Sequence, residues 1–113
     1  MTTPAADPSS TGLDANLAAA LSYLAGFITG IVMLIVEKNS RYVRFHAMQS
    51  TVFFVAVLVI SVAINSIPLL GPFVYAFLLF PAVLIVWLVL MFKSYSGEWF
   101  KLPVAGDFAE KQI

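Results

Sequence analysis

An all-α integral membrane fold is predicted: three transmembrane helices, an amphipathic cytoplasmic elbow and an interfacial C-terminal tail. Three observations predict it. The 113 residues are 61% hydrophobic and 11% charged, against about 25% charged in a soluble domain, so a soluble fold of this size could not cover its surface. Mean hydropathy is correspondingly high, at +0.96. Three apolar runs follow one another, giving spans over 17–36, 51–70 and 73–92, each near the ~20 residues that cross a hydrocarbon core of ~30 Å as a helix. Finally, Lys38, Arg41 and Arg44 lie between the first and second runs, and Lys93, Lys101 and Lys111 lie after the third. Three crossings put all six basic residues on one side, which the positive-inside rule makes the cytoplasm. The N-terminus then lies outside and the C-terminus inside, in a prokaryotic cell (inner) membrane.

Residues 1–14 are rich in Pro, Ser, Thr and Ala and have little to bury. They are expected to form a disordered extracytoplasmic tail ahead of a single membrane domain over 15–113. Asp7 and Asp14 occur there without a basic residue, so no cleavable signal peptide is expected. Asp14 or Gly12 is a candidate cap for the first helix. Within the first run Ala18, Ser22, Gly26 and Gly30 fall four apart on one helical face. Such a small-residue stripe lets backbones approach closely, and marks a packing face for another helix of this chain or for a second copy.

The elbow holds Glu37, Lys38, Arg41, Arg44, His46 and Gln49. After a polar turn, Tyr42, Phe45, Gln49 and Val52 repeat at helical spacing, which predicts an amphipathic entry helix at the interface. Its cations would each gain about 1 kcal/mol from anionic lipid. In the second run Ser61 and Asn65 share a face. A charge-free turn over 67–72 follows, with Pro72 suited to the first turn of the next helix. Pro81, mid-way along the third run, cannot donate to the Phe77 carbonyl, so a kink or a freed carbonyl is expected. Ser61, Asn65 and Pro81 together make a candidate intramembrane polar face. In the tail, Trp99, Phe100 and Lys101 fit interfacial anchors, and Asp107 with Glu110 resembles a capping box.

The search for chemistry returns no catalytic, cofactor-binding or metal-binding residue. Cysteine is absent and His46 is the sole imidazole. It reads as a hydrogen-bonding histidine rather than a base or a ligand. Glu37 and Glu98 are expected to meet at the cytoplasmic face and pair with Arg41, Arg44 or Lys101. A net charge of zero argues against nucleic acid. The partners expected are the lipid bilayer, anionic lipids included, and a second copy or another membrane protein. The function expected is non-enzymatic scaffolding or partner binding, with a transport or protein-translocation component as the alternative.

The strings Val43-Arg44-Phe45-His46-Ala47-Met48-Gln49-Ser50 and Gly97-Glu98-Trp99-Phe100-Lys101-Leu102-Pro103 resemble a family of small prokaryotic membrane proteins, as do Leu21-Ser22-Tyr23-Leu24 and Thr29-Gly30. Most members of that family are uncharacterised. It is grouped with the magnetosome membrane protein MamF and with the Tic-type import component of the chloroplast inner envelope. The resemblance implies an integral membrane protein without known enzymatic activity, and the chloroplast relatives look like four-span proteins that take part in preprotein import.

Overall fold

The computed structural model describes residues 12–112, and among them every regular element is a helix. The expected tail over 1–14 lies almost wholly outside the described residues. Helix α1 (Ala15–Leu24) starts where the Asp14 carboxylate accepts from the Leu17 amide at 3.3 Å, the capping role anticipated for it.

The first run is not one span. It breaks at Ala25-Gly26 into α1 and α2 (Phe27–Val36). Gly26 takes φ 65° and ψ −138°, a conformation closed to residues with a β-carbon except at a cost of roughly 1–3 kcal/mol. The two short helices fold back on each other. Ala15 and Ala18 from α1 join Met33 from α2 and Val43 and Ala47 from the next helix in one buried cluster. Both ends of the run therefore lie beside the elbow, and three spans become two.

Non-helical backbone at membrane depth survives only if its polar groups find partners within the protein. Here they do. The Thr29 hydroxyl reaches the Ser22 and Gly26 carbonyls at 3.2 and 3.3 Å and accepts from the Ala25 amide at 3.1 Å. The Ser50 hydroxyl donates to the Gly26 carbonyl at 3.2 Å. The Trp87 indole donates to the Tyr23 carbonyl at 2.6 Å.

Helix α3 (Arg41–Asn65) is capped by the Ser40 hydroxyl, which accepts from the Val43 amide at 3.2 Å. The entry helix and the second run are one element of 25 residues, about 37 Å long at 1.5 Å per residue. A turn follows in which Gly71 sits so close that a β-carbon there would overlap the Ile64 carbonyl oxygen. The return path is α4 (Leu70–Val74), a π-helical turn (Tyr75–Leu79) and α5 (Phe80–Tyr95). The π turn is the answer to Pro81. The Phe80 amide bonds the Tyr75 carbonyl, five residues back, so the helix widens just ahead of the residue that cannot donate. Among the described residues, Arg41–Asn65 and Leu70–Tyr95 are the two helices long and apolar enough to cross a membrane.

Helix α2 lies antiparallel along the first half of α3. Gly26 faces Phe54, Gly30 faces Ala47 and Thr51, and the Leu34 carbonyl accepts from Arg44 Nη1 at 3.0 Å. The tip of the α1–α2 hairpin thus reaches about midway down α3. Helix α6 (Ala105–Gln112) packs on α3 from the outside, with Gly106 against Gln49 and Lys101. It begins before Asp107, so the capping box does not form. Asp107 instead sits in the first turn, where its charge meets the helix dipole, and Glu110 pairs with Lys101 at 2.8 Å. The molecule measures 48 × 27 × 21 Å, broad at the elbow end and only two helices thick at the other.

Candidate functional site, a polar joint between elbow and tail

One face of the first three turns of α3 presents Tyr42, Phe45, His46 and Gln49, all fully buried. Residues at these spacings share a side of the helix, and here that side receives the tail as it leaves α5. The Tyr42 hydroxyl donates to the Ser94 carbonyl and also lies 3.1 Å from the Glu98 carbonyl. His46 Nε2 lies 2.9 Å from the Glu98 carbonyl. Gln49 Nε2 donates to the Phe100 carbonyl at 2.9 Å, and its Oε1 accepts from the Leu102 amide at 2.8 Å. The tail is gripped by its main chain at residues 98, 100 and 102, as a neighbouring strand would be. Its alternate residue Trp99 turns back to pack edge-on against Tyr42 and at a tilt on Phe45, with ring centroids 5.2 Å apart in each case. Gly97, at φ 85°, supplies the left-handed bend that lets the tail leave the helix.

The hydrogen-bond pattern fixes the form of His46. A carbonyl only accepts, so Nε2 carries the proton it gives to Glu98. Gln49 Nε2 donates to the Tyr23 hydroxyl at 2.8 Å, and that hydroxyl lies 2.6 Å from His46 Nδ1. Tyr23 therefore receives from Gln49 and donates to Nδ1, and the imidazole is the neutral Nε2–H tautomer. The chain Gln49, Tyr23, His46, Glu98 joins α1, α3 and the tail with its polar atoms spent on one another.

The remaining elbow residues form a second, local arrangement. Glu37 is fully buried and its carboxylate accepts from the Asn39 and Ser40 amides at 3.0 and 2.9 Å, closing the turn. Arg44 Nη1 donates to the Leu34 and Glu37 carbonyls at 3.0 and 2.8 Å, capping the C-terminus of α2. Lys38 and Arg41 are exposed. Of the cations expected to pair with Glu37 and Glu98, Arg44 goes to main-chain carbonyls. Glu98 pairs with Lys93 at 3.5 Å, and Lys101 takes Glu110 as its partner.

The other anticipated residues are scattered. Ala18, Ser22 and Gly30 are buried against the chain's own helices, and Gly26 forms the break, so the stripe is spent inside the fold. Ser61 and Asn65 lie in the far half, where Asn65 Nδ2 donates to the Ser61 carbonyl of its own helix at 2.8 Å. Pro81 is exposed. Trp99 and Lys101 keep exposed surface and Phe100 is half-buried. Among the described residues no group of three His, Cys, Asp or Glu side chains is placed to hold a metal ion. Trp87 was passed over in the sequence, and Tyr23 entered only as part of a family string, with no role. Their signal was present, because a phenol or an indole inside an apolar run must find a partner for its polar tip.

The two strings singled out from the sequence are thus the two halves of one joint. Comparison with known proteins matches the chain over residues 11–109 to MamF/MmsF, the magnetosome magnetite crystal formation protein family. The chain belongs to this family. Similar relatives are named UPF0132 membrane proteins. One from Archaeoglobus fulgidus is 53% identical over 102 residues, covering 87% of this chain and 94% of its own. Two from Methanocaldococcus jannaschii are 47% and 41% identical, covering 90% and 88% of this chain and 91% and 71% of theirs. No solved structure matches. The MamF/MmsF match runs through both strings and both spanning helices, so the joint lies within the part of the chain that defines the family, and this member is an integral membrane protein.

Proposed function

We propose that this MamF/MmsF member is a non-enzymatic scaffolding or partner-binding module: a two-helix anchor carrying a folded head on one side of the bilayer. The observation that carries the reading is the elbow–tail joint. It spends its buried polar groups on fixing the tail against α3, and so builds a rigid surface of Lys38, Arg41, Trp99 and α6 at the membrane face. Rigid presentation lowers the ordering cost of binding. The docked molecule would be another membrane protein, a second copy or anionic lipid. Because the first run turns back, the N-terminus, the elbow and the tail share a side in this reading. The positive-inside rule makes that side the cytoplasm. The N-terminus then lies inside, opposite to the placement that three spans imply.

A translocation role has one observation in its favour, since broken helices near mid-membrane hold substrates and ions in many transporters. The carbonyls freed at this break are taken by Thr29, Ser50 and Trp87, which favours the scaffold.

Two measurements test the reading. Single cysteines replacing Ser10, Asn39 and Ser96 should react with an impermeant reagent from one side, and one replacing Leu69, which is 91% exposed, from the other. Reaction of Ser10→Cys on the side of Leu69→Cys would overturn the one-sided head. Photo-crosslinkers at Arg41 and Lys111 should give discrete adducts in native membranes that a crosslinker at Leu78 does not. Solute or ion movement by the purified protein in vesicles would replace the scaffold by the transport reading.

A further inference from the structure

The widths of the two halves differ. In the elbow half α1, α2, α3 and α5 run side by side, with α6 packed outside α3. Beyond Phe54 only α3 and the α4–α5 path remain. At 10–12 Å per helix diameter, the cross-section falls from roughly 400 Å² to roughly 200 Å². The hairpin that makes this half broad has an apolar outer face suited to lipid. No charged residue occurs between Asp14 and Glu37, and α2 turns Ile28, Ile31, Val32 and Ile35 outward, with Ile28 60% and Ile35 64% exposed. Those side chains face acyl chains over the depth that the hairpin reaches. The narrow half offers Phe73, Phe77, Leu78 and Ile85 to the opposite leaflet.

We infer that the chain is a membrane wedge: it takes more area from the head-side leaflet than from the other, and concentrates where the head-side leaflet is convex. A leaflet that receives excess inserted area relieves it by expanding, which bends the bilayer toward that side. A uniform bundle of spans would have no such preference. The wedge also explains why the hairpin stops midway. A first run that continued through the bilayer would have equalised the two leaflets, and the Gly26 break, stabilised by Ser50, Thr29 and Trp87, is what prevents it. The inference uses the turned-back first run of the proposed function and not the docking partner.

The test is a nanotube pulled from a giant vesicle that contains the full-length Asn39→Cys protein in both orientations. Impermeant dye from outside marks molecules with the head outward, and dye of another colour sealed inside marks those with the head inward. Outward-headed molecules should be denser in the tube than in the vesicle, increasingly so as the tube narrows, and inward-headed ones depleted. Equal density for the two colours, or enrichment of the inward-headed one, would overturn the wedge. Because both colours report the same folded protein, a failure here is separable from a failure to find a docking partner. If cysteine mapping instead places Ser10 and Asn39 on opposite sides, the turned-back run itself is wrong.

Discussion

At the scale of single residues, Gln49 makes the clearest commitment. Its amide donates to both Tyr23 and Phe100 and accepts from Leu102. Replacement by Leu keeps the volume and removes all three bonds, leaving the Leu102 amide and the Phe100 carbonyl without that partner. Each buried polar group left unmade costs about 1–3 kcal/mol. Gln49→Leu should therefore lower stability in detergent by several times RT, and hydrogen exchange should show the Leu102 amide losing its protection. Tyr23→Phe is a finer probe. It removes the donor to His46 Nδ1 and the acceptor for Gln49 at about 1–3 kcal/mol, with the main-chain grip on residues 100 and 102 intact. Nitrogen NMR of the wild-type protein should find His46 as the neutral Nε2–H tautomer. A signal for the other tautomer would contradict the hydrogen-bond chain described above.

At the scale of elements, the two true spans were legible because length and absence of charge suffice to define them. The break in the first run was not. Gly26 in an apolar stretch reads equally well as a packing residue and as a hinge. What decides between them is a set of distant groups, Ser50, Trp87 and Phe54, that only folding brings near. The small-residue stripe does not run along one helix: Ala18 and Ser22 lie in α1, Gly26 is the break, and Gly30 lies in α2 against α3. The capping box does not form because α6 starts at Ala105, which puts Asp107 inside the first turn instead of at the cap. Two expectations follow. Gly26→Ala forces a β-carbon into a left-handed conformation and should cost roughly 1–3 kcal/mol. Gly30→Leu, where even a β-carbon would lie 2.8 Å from Thr51 Oγ1 and 3.0 Å from the Ala47 carbonyl, should separate α2 from α3. Thermal unfolding in detergent reads both. A loss of oligomers with stability unchanged would instead return the stripe to an intermolecular role.

At the scale of the whole molecule, elbow and tail were each recognisable as polar strings, yet nothing in either names the other. Their pairing is through main-chain carbonyls and amides, which carry no residue code. What could be read was that a lone His, a Gln and two Tyr beside apolar runs needed partners; which ones they found depended on a tail 50 residues away. Removing residues 97–113 should leave α3 and the return path inserted, because their apolar length is untouched. It should also take from His46 the Glu98 carbonyl and from Gln49 its Phe100 and Leu102 partners, so that the amides of α1 and α2 exchange much faster than those of α3 beyond Phe54. Uniform loss of protection along the chain would show that anchor and head do not melt separately.

The joint also sets a timetable. His46 and Gln49 leave the ribosome about fifty residues before Glu98, Phe100 and Leu102, the groups that satisfy them. Until residues 98–102 have been made, the imidazole and the carboxamide have Tyr23 but lack the main-chain partners of the tail. The arrival of Leu102 is thus what closes the joint, and a chain that ends before Glu98 keeps His46 and Gln49 without the main-chain groups that hold the tail.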